Sequence, residues 1–475
     1  MAYSTTGSFP VQSGNLNYEF DFSVVTGESP WAIGFGYHTG DEKLFSAPKL
    51  NQVITGTSGF GGSLEARGSD LLIGNTSGQE IETYENLSLL GRVTPNIYGQ
   101  TNTITGNGPT GLSGLGYSIS FTDSIITVGS PFAIINGSSG AGAVQVFKSF
   151  ASGGAGVTGT GSYGFMTHLT GSQASGNFGK SLSSTRSTLV DFLSVGAPGE
   201  NNGSGSVHIY ELNSLNFVQS LDPTGDQIEN FGKNSEWVSQ LGIEFLAIGY
   251  DQGGSGKMDM YKQDSNLNDA FYYFQTLEPP RGAQSGDMFA YSIDEGDGRL
   301  FVGAPKIDNS GAVFEYTYNA GMAAFEVSQD ISGSYISSGN NFGKNLSFGN
   351  INGVITSDKN FGEAYVYAKS GDLWDHINTL SGSENSVSGS YGGDLSGSHV
   401  TKFEGGNLII GSSSEPYTYI YNTGSSVIEE GMRVYISGSG GKLFDSQGNF
   451  IYGYSPSQTV KISGNIFTGG NSNIF

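Results

Sequence analysis

The sequence predicts an all-β protein, a seven-bladed β-propeller of four-stranded blades with short N- and C-terminal β extensions. Three observations support this prediction. Short apolar runs separated by Gly-rich turns recur in the same order along the chain, glycine is unusually frequent, and the repeat is about as long as a known propeller blade. A sheet of four short strands cannot bury both of its faces alone, so the copies must pack on one another.

The clearest copy of the repeat lies within residues 176–210. Phe178-Gly179 joins a ring that can fill the space between two sheets to a residue that permits close backbone approach. Phe192 to Val195 is a short apolar run that ends at Gly196-Ala197-Pro198, which is typical of a strand buried on both faces. Val207 to Tyr210 alternates apolar and polar residues, which indicates a strand with one buried face.

Seven copies can be aligned on an anchor pair, a large apolar residue followed by a small one. The anchor pairs are Phe60-Gly61, Leu115-Gly116, Phe178-Gly179, Phe231-Gly232, Phe289-Ala290, Phe342-Gly343 and Tyr391-Gly392. Each pair is followed by an apolar run and then by an alternating run. The spacing of the anchors favours radial closure over a linear stack, and seven copies fit a closed ring.

The repeats divide the chain into three parts. Residues 1–57 form an N-terminal extension that includes a candidate ring-closing strand, residues 58–425 form the seven-repeat propeller, and residues 426–475 form a C-terminal β extension or docking tail. Tyr18 to Val25 alternates like a strand. Either this stretch or part of the C-terminal extension is expected to complete the ring by pairing with the opposite end of the chain.

Composition and charge exclude several classes of protein. The 76 glycines among 475 residues follow no three-residue period, which excludes collagen, and 30 Phe and 25 Tyr disfavour disorder. A net charge of −23 would repel a phosphate backbone, so nucleic-acid binding is excluded. There is no cysteine, which removes disulfides, thiolate catalysis and Cys-zinc sites.

The N-terminus lacks the basic start and apolar core of a signal peptide, and no later run is long and apolar enough to insert into a membrane. An extracellular site of action would then be reached by lysis, by assembly into a particle, or with a leader that is missing from this sequence.

The order of an anchor pair and a Gly-Ala-Pro turn resembles the FG-GAP repeat of integrin-α-type seven-bladed β-propellers. The resemblance is clearest at Phe178-Gly179 with Gly196-Ala197-Pro198 and at Gly303-Ala304-Pro305, and it covers about residues 58–425. It implies a scaffold for extracellular adhesion that binds ligands through loops on one face of the propeller.

The family also implies a calcium loop of the Asp-x-Asp-x-Asp-Gly type between the first two strands of a blade. Only the stretch from Asp294 to Gly298 approaches that pattern, with Asp294, Glu295 and Asp297 as candidate calcium ligands. An acidic hairpin turn is the favoured interpretation, because Asp-Gly is a preferred turn pair. No other cofactor is implied.

Residues with catalytic chemistry are few and isolated. The five histidines are expected to be surface or strand-edge residues and not metal ligands or acid–base groups: His38, His168, His208, His376 and His399. Trp31, Trp237 and Trp374 are expected to pack in the core, with a sugar-binding platform as the alternative. The sequence therefore predicts no catalytic residue and a protein that is not an enzyme.

Two functions compete. The favoured one is a non-enzymatic structural or adhesion component of a multi-protein assembly, a phage or virus virion protein such as a tail, fibre or surface-decoration subunit, with other virion proteins as partners. The alternative is a secreted or cell-surface microbial adhesin that binds a host-surface glycan or protein through propeller loops. Localisation would be the virion or the extracellular space. A third option is a propeller hydrolase or lyase that acts on polysaccharide, for which the sequence shows no site.

Overall fold

The computed structural model describes residues 21–23, 32–38, 43–45, 49–68, 70–86, 98–106, 113–122, 124–149, 163–185, 191–264, 270–282, 284–332, 338–349, 352–357, 363–370, 373–381, 400–404, 407–411, 416–422, 425–427, 431–437, 441–444, 450–454 and 459–460. Within these residues, seven four-stranded antiparallel sheets form the blades of a seven-bladed β-propeller, which confirms the predicted fold class. The helical segments of this part of the chain are two short 3-10 turns, Asn201–Gly203 and Ile307–Asn309.

Four strands precede the first complete blade: β1 (Asp21–Ser23), β2 (Ala32–His38), β3 (Lys43–Phe45) and β4 (Lys49–Thr55). Blade 1 contains β5 (Phe60–Arg67), β6 (Asp70–Asn75), β7 (Glu80–Asn86) and β8 (Tyr98–Thr105). Blade 2 contains β9 (Ile119–Phe121), β10 (Ile125–Ser130), β11 (Ala143–Ser149) and β12 (Tyr163–Thr170). Blade 3 contains β13 (Ser181–Ser184), β14 (Phe192–Ala197), β15 (Ser206–Glu211) and β16 (Phe217–Leu221).

The later blades repeat this order. Blade 4 contains β17 (Ile228–Gln240), β18 (Ile243–Gln252), β19 (Ser255–Asp264) and β20 (Ala270–Leu277). Blade 5 contains β21 (Ser292–Gly296), β22 (Arg299–Ala304), β23 (Ala312–Asn319) and β24 (Ala324–Ile331). Blade 6 contains β25 (Asn345–Phe348), β26 (Asn352–Ser357), β27 (Glu363–Ser370) and β28 (Leu373–Ser381). Blade 7 contains β29 (Val400–Glu404), β30 (Asn407–Gly411), β31 (Tyr417–Asn422) and, from the start of the chain, β4.

The blades form a closed ring. Their innermost strands contact one another in the order β5, β9, β13, β17, β21, β25, β29 and back to β5. β4 closes the ring by pairing with β31, with Val53 opposite Tyr419, so the last blade is built from both ends of the propeller sequence. This strand lies inside the predicted N-terminal extension. The Tyr18 to Val25 stretch does not close the ring, because its strand β1 pairs with β34.

The terminal segments form a separate unit, Met1–Leu44 with Ser425–Phe475, whereas Phe45–Gly424 forms the propeller unit. The C-terminal strands are β32 (Ser425–Val427), β33 (Gly431–Ser437), β34 (Gly441–Phe444), β35 (Phe450–Tyr454) and β36 (Thr459–Val460). Two three-stranded sheets, β1-β34-β35 and β2-β33-β36, join the N- and C-terminal segments, and β3 pairs with β32. Met1 to Phe20 and 461–475 lie outside the described residues.

The hydrophobic core is divided among the boundaries between blades. At the boundary of blades 2 and 3, the Phe178 ring is 1% exposed and packs with Val144 and Val146 on one side and Leu193 and Val195 on the other. Comparable clusters occupy the other six boundaries of the described ring. The anchor ring therefore fills the space between two sheets, as predicted, and truncating such a ring to alanine costs about 3–5 kcal/mol.

In the six anchor pairs that the structure describes, the small residue has a backbone conformation that favours glycine. The seventh pair, Tyr391-Gly392, lies outside the described residues. The φ angle is +83° at Gly61, +86° at Gly116, +87° at Gly179, +84° at Gly232 and +90° at Gly343. A side chain at such a φ meets its own backbone, so glycine is the residue expected there.

The outer strands carry a β-bulge at one fixed place. In the described strands of all seven blades, the register between the third and fourth strands shifts just before an aromatic residue: Tyr84, Phe147, Tyr210, Tyr261, Tyr316, Tyr367 or Tyr421. A bulge bends and twists the strand that contains it, which turns the exposed edge of the sheet away from regular pairing.

A glutamine at the bulge joins the outer rims of neighbouring blades. Gln275 Nε2 donates to the carbonyl of Phe325 at 3.1 Å, and its Oε1 accepts from the Phe325 N–H at 2.9 Å. The same two bonds join Gln52 to Tyr98, Gln219 to Phe271 and Gln329 to Trp374. Each glutamine thereby satisfies a donor and an acceptor of an edge strand that would otherwise be open to another chain.

Candidate functional site

The central channel of the described propeller is a concave feature with a polar lining. The cavity has a volume of about 860 Å³ and is lined by the innermost strands of blades 1 to 6. It contains many serine hydroxyls, several carboxylates and the ammonium groups of Lys180 and Lys233. A cavity of this size lies within the usual range for ligand pockets.

Near one end of the channel, the same serine hydrogen bond joins blades 1, 2, 3 and 5 each to the next blade. Ser63 Oγ donates to the carbonyl of Gly116 at 2.6 Å, and Ser181 Oγ donates to the carbonyl of Gly232 at 2.9 Å. The same bond runs from Ser118 to Gly179 and from Ser292 to Gly343, both at 2.8 Å. These hydroxyls lie two residues after the small residue of the anchor pair, which is glycine in three cases and Ala290 in the fourth, so the repeat itself places them.

Further along the channel, the hydroxyls are bonded to one another and to carboxylates. Ser120 Oγ lies 2.7 Å from Ser184 Oγ, and Ser183 Oγ donates to Glu236 Oε1 at 3.0 Å. No histidine is among the described residues that line the cavity. The serines are therefore bonded in a way that holds blades together, without the Ser–His pair that would activate a hydroxyl as a nucleophile.

The residues that directly follow the anchor pairs lie together at one end of the channel. We define the anchor mouth as this end, lined by Tyr117, Lys180, Lys233 and Tyr291. Its lysines are cations in a chain of net charge −23. Lys233 Nζ forms an ion pair with Asp251 Oδ1 at 2.5 Å, so its charge is balanced inside the protein.

Lys180 is held by two aromatic rings of blade 2. Its Nζ lies 4.1 Å from the centroid of the Tyr117 ring and 5.4 Å from the centroid of the Phe132 ring, and it donates to the Tyr117 hydroxyl at 2.5 Å. The two rings meet edge to face, with centroids 5.6 Å apart. Cation–π attraction of this kind stabilises an ammonium group without neutralising it.

Carboxylates lie deeper in the channel. Glu65, Glu236 and Asp294 line the cavity three residues beyond the anchor mouth, about 10 Å further along their strands. The channel is thus polarised, with cations at the anchor mouth and carboxylates towards its opposite end.

The predicted calcium ligands lie on the hairpin that joins β21 to β22, and each has a protein partner. Asp294 Oδ2 accepts from the Phe348 N–H at 2.5 Å, Glu295 Oε1 accepts from the Gly298 N–H at 2.6 Å, and Asp297 Oδ2 pairs with Lys369 Nζ at 3.1 Å. Among the described residues, no three His, Asp or Glu side chains converge as a metal site would require. Calcium binding at this hairpin stays a prediction.

Two of the three tryptophans lie in the core. Trp237 is 4% exposed and Trp374 is 2% exposed, each at a boundary between blades, so neither offers a ring face to a sugar. Trp31 lies outside the described residues.

The histidines of the propeller are separate from one another. His168 stacks on Phe165, with ring centroids 6.3 Å apart, and His208 Nε2 lies 2.9 Å from Glu200 Oε2. His376 contacts the Thr379 hydroxyl, and burial lowers the pKa of its imidazole. His38 lies on β2, and His399 lies outside the described residues.

An ordered loop of blade 2 borders the anchor mouth. It spans residues 131–142 between β10 and β11 and presents Phe132 and Ile134 to solvent, with 43% and 45% of their surface exposed. Ala133 and Ile135 alternate with them and are buried. Sequence reasoning missed this cluster, although aligning the copies on their anchors would have placed Tyr117 and Lys180 at one repeat position.

The chain was compared with known proteins. No family model matches the sequence, and no curated protein sequence matches it either. Among solved structures, the chain is similar to the crystal structure of Raptor from Chaetomium thermophilum, with 10% sequence identity and a TM-score of 0.51. The match covers 80% of this chain and 30% of the Raptor chain, and at this identity the likeness concerns the fold alone.

The β-propeller fold typically serves as a scaffold for protein interactions, and its function depends on the groups at its faces and rims. In the described part of the chain, no helix combines the length and apolarity that a membrane-spanning segment needs.

Proposed function

We propose that this chain is a non-enzymatic structural or adhesion component of a multi-protein assembly, and that the assembly is a phage or virus particle in which it serves as a tail, fibre or surface-decoration subunit. The observation that supports this proposal is the bonding of the channel. Ser181 and Ser292 each donate to a carbonyl of the next blade, so the hydroxyls that line the cavity are used to make the ring rigid.

A rigid ring suits a carrier of interaction surfaces. Binding to a preformed surface avoids the conformational entropy that ordering loops would cost. The outer rim is also protected from random pairing, since Gln275 and its counterparts occupy backbone groups of the edge strands. Both features favour a scaffold that binds specific partners at defined surfaces.

We further propose kinship with the FG-GAP repeat propellers, on physical grounds. Gly179 needs its positive φ of +87°, and Gly196 lies against the backbone of the next blade with no room for a Cβ atom. Gly179 is therefore required by its own backbone conformation, whereas Gly196 is required by the close approach of the next blade. This kinship favours action outside a cell or on a particle surface.

The alternative is a cell-surface or secreted adhesin that binds a glycan or protein of a host. The exposed Phe132 and Ile134 beside the anchor mouth favour a binding role of some kind, and they suit either setting.

The test is to locate the native protein. We would purify particles from the producing host, identify their components by mass spectrometry, and measure the copy number of this chain per particle. A fixed copy number together with capsid or tail proteins is the expected result, whereas recovery from the cell surface alone would support the adhesin. Purified chain would also be incubated with host polysaccharide, and a fall in the polymer's molecular mass would overturn the non-enzymatic assignment.

A further inference from the structure

We propose that the part of the anchor mouth between blades 2 and 3 docks a peptide segment of a partner protein that carries an apolar side chain next to a carboxylate. This inference rests on the proposed role as an interaction scaffold and specifies which surface is used. The apolar side chain would pack on Phe132 and Ile134, and the carboxylate would pair with Lys180.

The apolar half of the site is rigid. Phe132 and Ile134 are each more than 40% exposed, on a loop whose alternate residues Ala133 and Ile135 form a small buried cluster. Backbone bonds pin the loop to the segment that enters blade 3: Ser175 N–H donates to the Ser139 carbonyl at 2.8 Å, and Asn177 N–H donates to the Gly140 carbonyl at 2.9 Å. Two exposed apolar side chains on a fixed loop can be covered with little loss of loop entropy.

The cationic half of the site is Lys180, whose positive charge is not paired with a carboxylate of the described residues. Lys233, Lys257 and Lys369 each form an ion pair with a carboxylate. Lys180 forms no ion pair with any carboxylate in the described part of the chain. Its Nζ donates to the Tyr117 hydroxyl and lies against the two aromatic rings. A caged ammonium of this kind can still accept a carboxylate, and two rings beside it lower the local polarity and strengthen the pair.

The surrounding charge selects where a carboxylate can bind. The chain carries 43 acidic and 20 basic residues, so an acidic segment is repelled from most of its surface. Within the channel, Glu65 and Asp294 lie deeper than Lys180, and their negative charge disfavours an anion in the interior. A carboxylate is therefore attracted to the mouth and held there.

The chemistry favours a peptide over a glycan. Phe132 and Ile134 offer no hydrogen-bond partner to the hydroxyls that a sugar would have to desolvate. Of the polar groups at the mouth, Lys233 is already paired with Asp251 and the Tyr117 hydroxyl already accepts a bond from Lys180, which leaves few partners for the hydroxyls of a saccharide. An apolar peptide side chain beside an aspartate or glutamate matches both halves of the site.

The experiment uses the full chain and defined probes. The immobilised protein would be screened against a random heptapeptide phage library, and the enriched peptide would be synthesised with a fluorescent label for polarisation titrations. We expect enriched peptides to share a large apolar residue within two positions of an Asp or Glu. Lys180→Gln and Phe132→Ala should each raise the Kd at least tenfold, and replacing the peptide's acidic residue by its amide should do the same.

Matched controls separate binding from folding. Lys306→Gln removes a lysine bonded to Asn341 elsewhere on the ring and should leave the Kd unchanged. Lys180→Arg keeps the charge and should retain most of the affinity, which distinguishes a lost ion pair from a misfolded mouth. The peptide should also protect Lys180, but not Lys306, from acetylation by an N-hydroxysuccinimide ester, as read by mass spectrometry.

Several results would overturn the proposal: no enriched peptide, enriched peptides without an acidic residue, or binding that Lys180→Gln leaves intact. Polygalacturonate would be titrated in parallel, and tight binding of this polymer with no enriched peptide would identify a glycan site instead. Any of these results, with the chain still found at fixed copy number in a particle, would refute the docking site alone. Absence from any protein assembly would refute the proposed function.

Discussion

Gly196 of blade 3 lies so close to Gly232 of blade 4 that a Cβ atom on Gly196 would overlap the carbonyl oxygen of Gly232. The same oxygen accepts the hydrogen bond from Ser181. Equivalent close approaches occur between Gly129 and Gly179, Gly303 and Gly343, Gly74 and Gly116, and Gly411 and Gly61. The first glycine of the Gly-Ala-Pro turn is thus required by the neighbouring blade and not by the turn.

We expect Gly196→Ala to destabilise the propeller by about 3 kcal/mol, because the added methyl group would overlap both the Gly232 carbonyl oxygen and the Ser181 hydroxyl that donates to it. The measurement is the free energy of unfolding from urea titration, followed by tryptophan fluorescence.

Gly62→Ala is the matched control. The nearest atom to a Cβ at Gly62 would lie 3.5 Å away, in ordinary van der Waals contact. Its effect should stay within about 1 kcal/mol. Equal losses for the two variants would show that glycine at these positions is not required by the boundary between blades.

Much of the fold could be predicted because each blade is specified locally. Phe178 and the run from Phe192 to Val195 mark a filled boundary and a buried strand in the sequence itself, and the structure buries all of these residues. The repetition then predicted a ring, because seven such blades leave no face unburied only if the first and the last blade also pack together.

The closing strand could not be identified in this way. β4 pairs with β31 across more than 360 residues of sequence, and the stretch from Lys49 to Thr55 alternates no more clearly than Tyr18 to Val25. A pairing between distant segments leaves no local mark on either strand. The physical feature that distinguishes β4 from the Tyr18 to Val25 stretch is its short connection to β5, the first strand of blade 1.

The anchor mouth could not be predicted from the sequence for a similar reason. Tyr117, Phe132 and Lys180 come from three separate stretches, and only the ring brings them together. The glutamines of the outer rim were missed because one Gln per outer strand resembles any solvent-facing residue until its partner in the next blade is known.

Ala290 occupies a position where the other described anchor pairs have glycine, and its φ is +58°. Ala290 is itself buried, so Ala290→Gly loses the packing of one methyl group while it relieves the left-handed strain. Thermal unfolding should show a loss of stability about 1 kcal/mol smaller than that of Ala247→Gly, in the buried strand β18, where no such strain is relieved. Equal losses in the two variants would contradict the strain argument.

Gln275→Ala removes both bonds to Phe325 and leaves a donor and an acceptor on the edge of blade 5. We expect a loss of about 1–2 kcal/mol of stability and a greater tendency to self-associate at high protein concentration. Urea titration and analytical ultracentrifugation would measure the two effects.

Gln284→Ala is the control for that change, because Gln284 is exposed and its side chain forms no hydrogen bond with the described part of the chain. It should alter neither quantity. Self-association that rises equally in both variants would show that the glutamine bonds do not protect the edge.

Burial raises the pKa of Asp259, although its Oδ1 accepts hydrogen bonds from the Tyr250 hydroxyl at 3.1 Å and from Thr276 Oγ1 at 2.6 Å. The folded state therefore binds this proton more tightly than the unfolded state. The resulting stability is fully present below the unfolded pKa and is lost as the pH rises through the folded pKa.

We expect the difference in unfolding free energy between the wild type and Asp259→Asn to move in favour of the wild type as the pH falls from about 7 to about 4. Asp70 and Glu244 also have a raised pKa, but they are present in both proteins, so their contribution cancels in the difference. Urea titrations of both proteins across this pH range would measure it, and a difference that stays constant or reverses its slope would refute the assignment to Asp259.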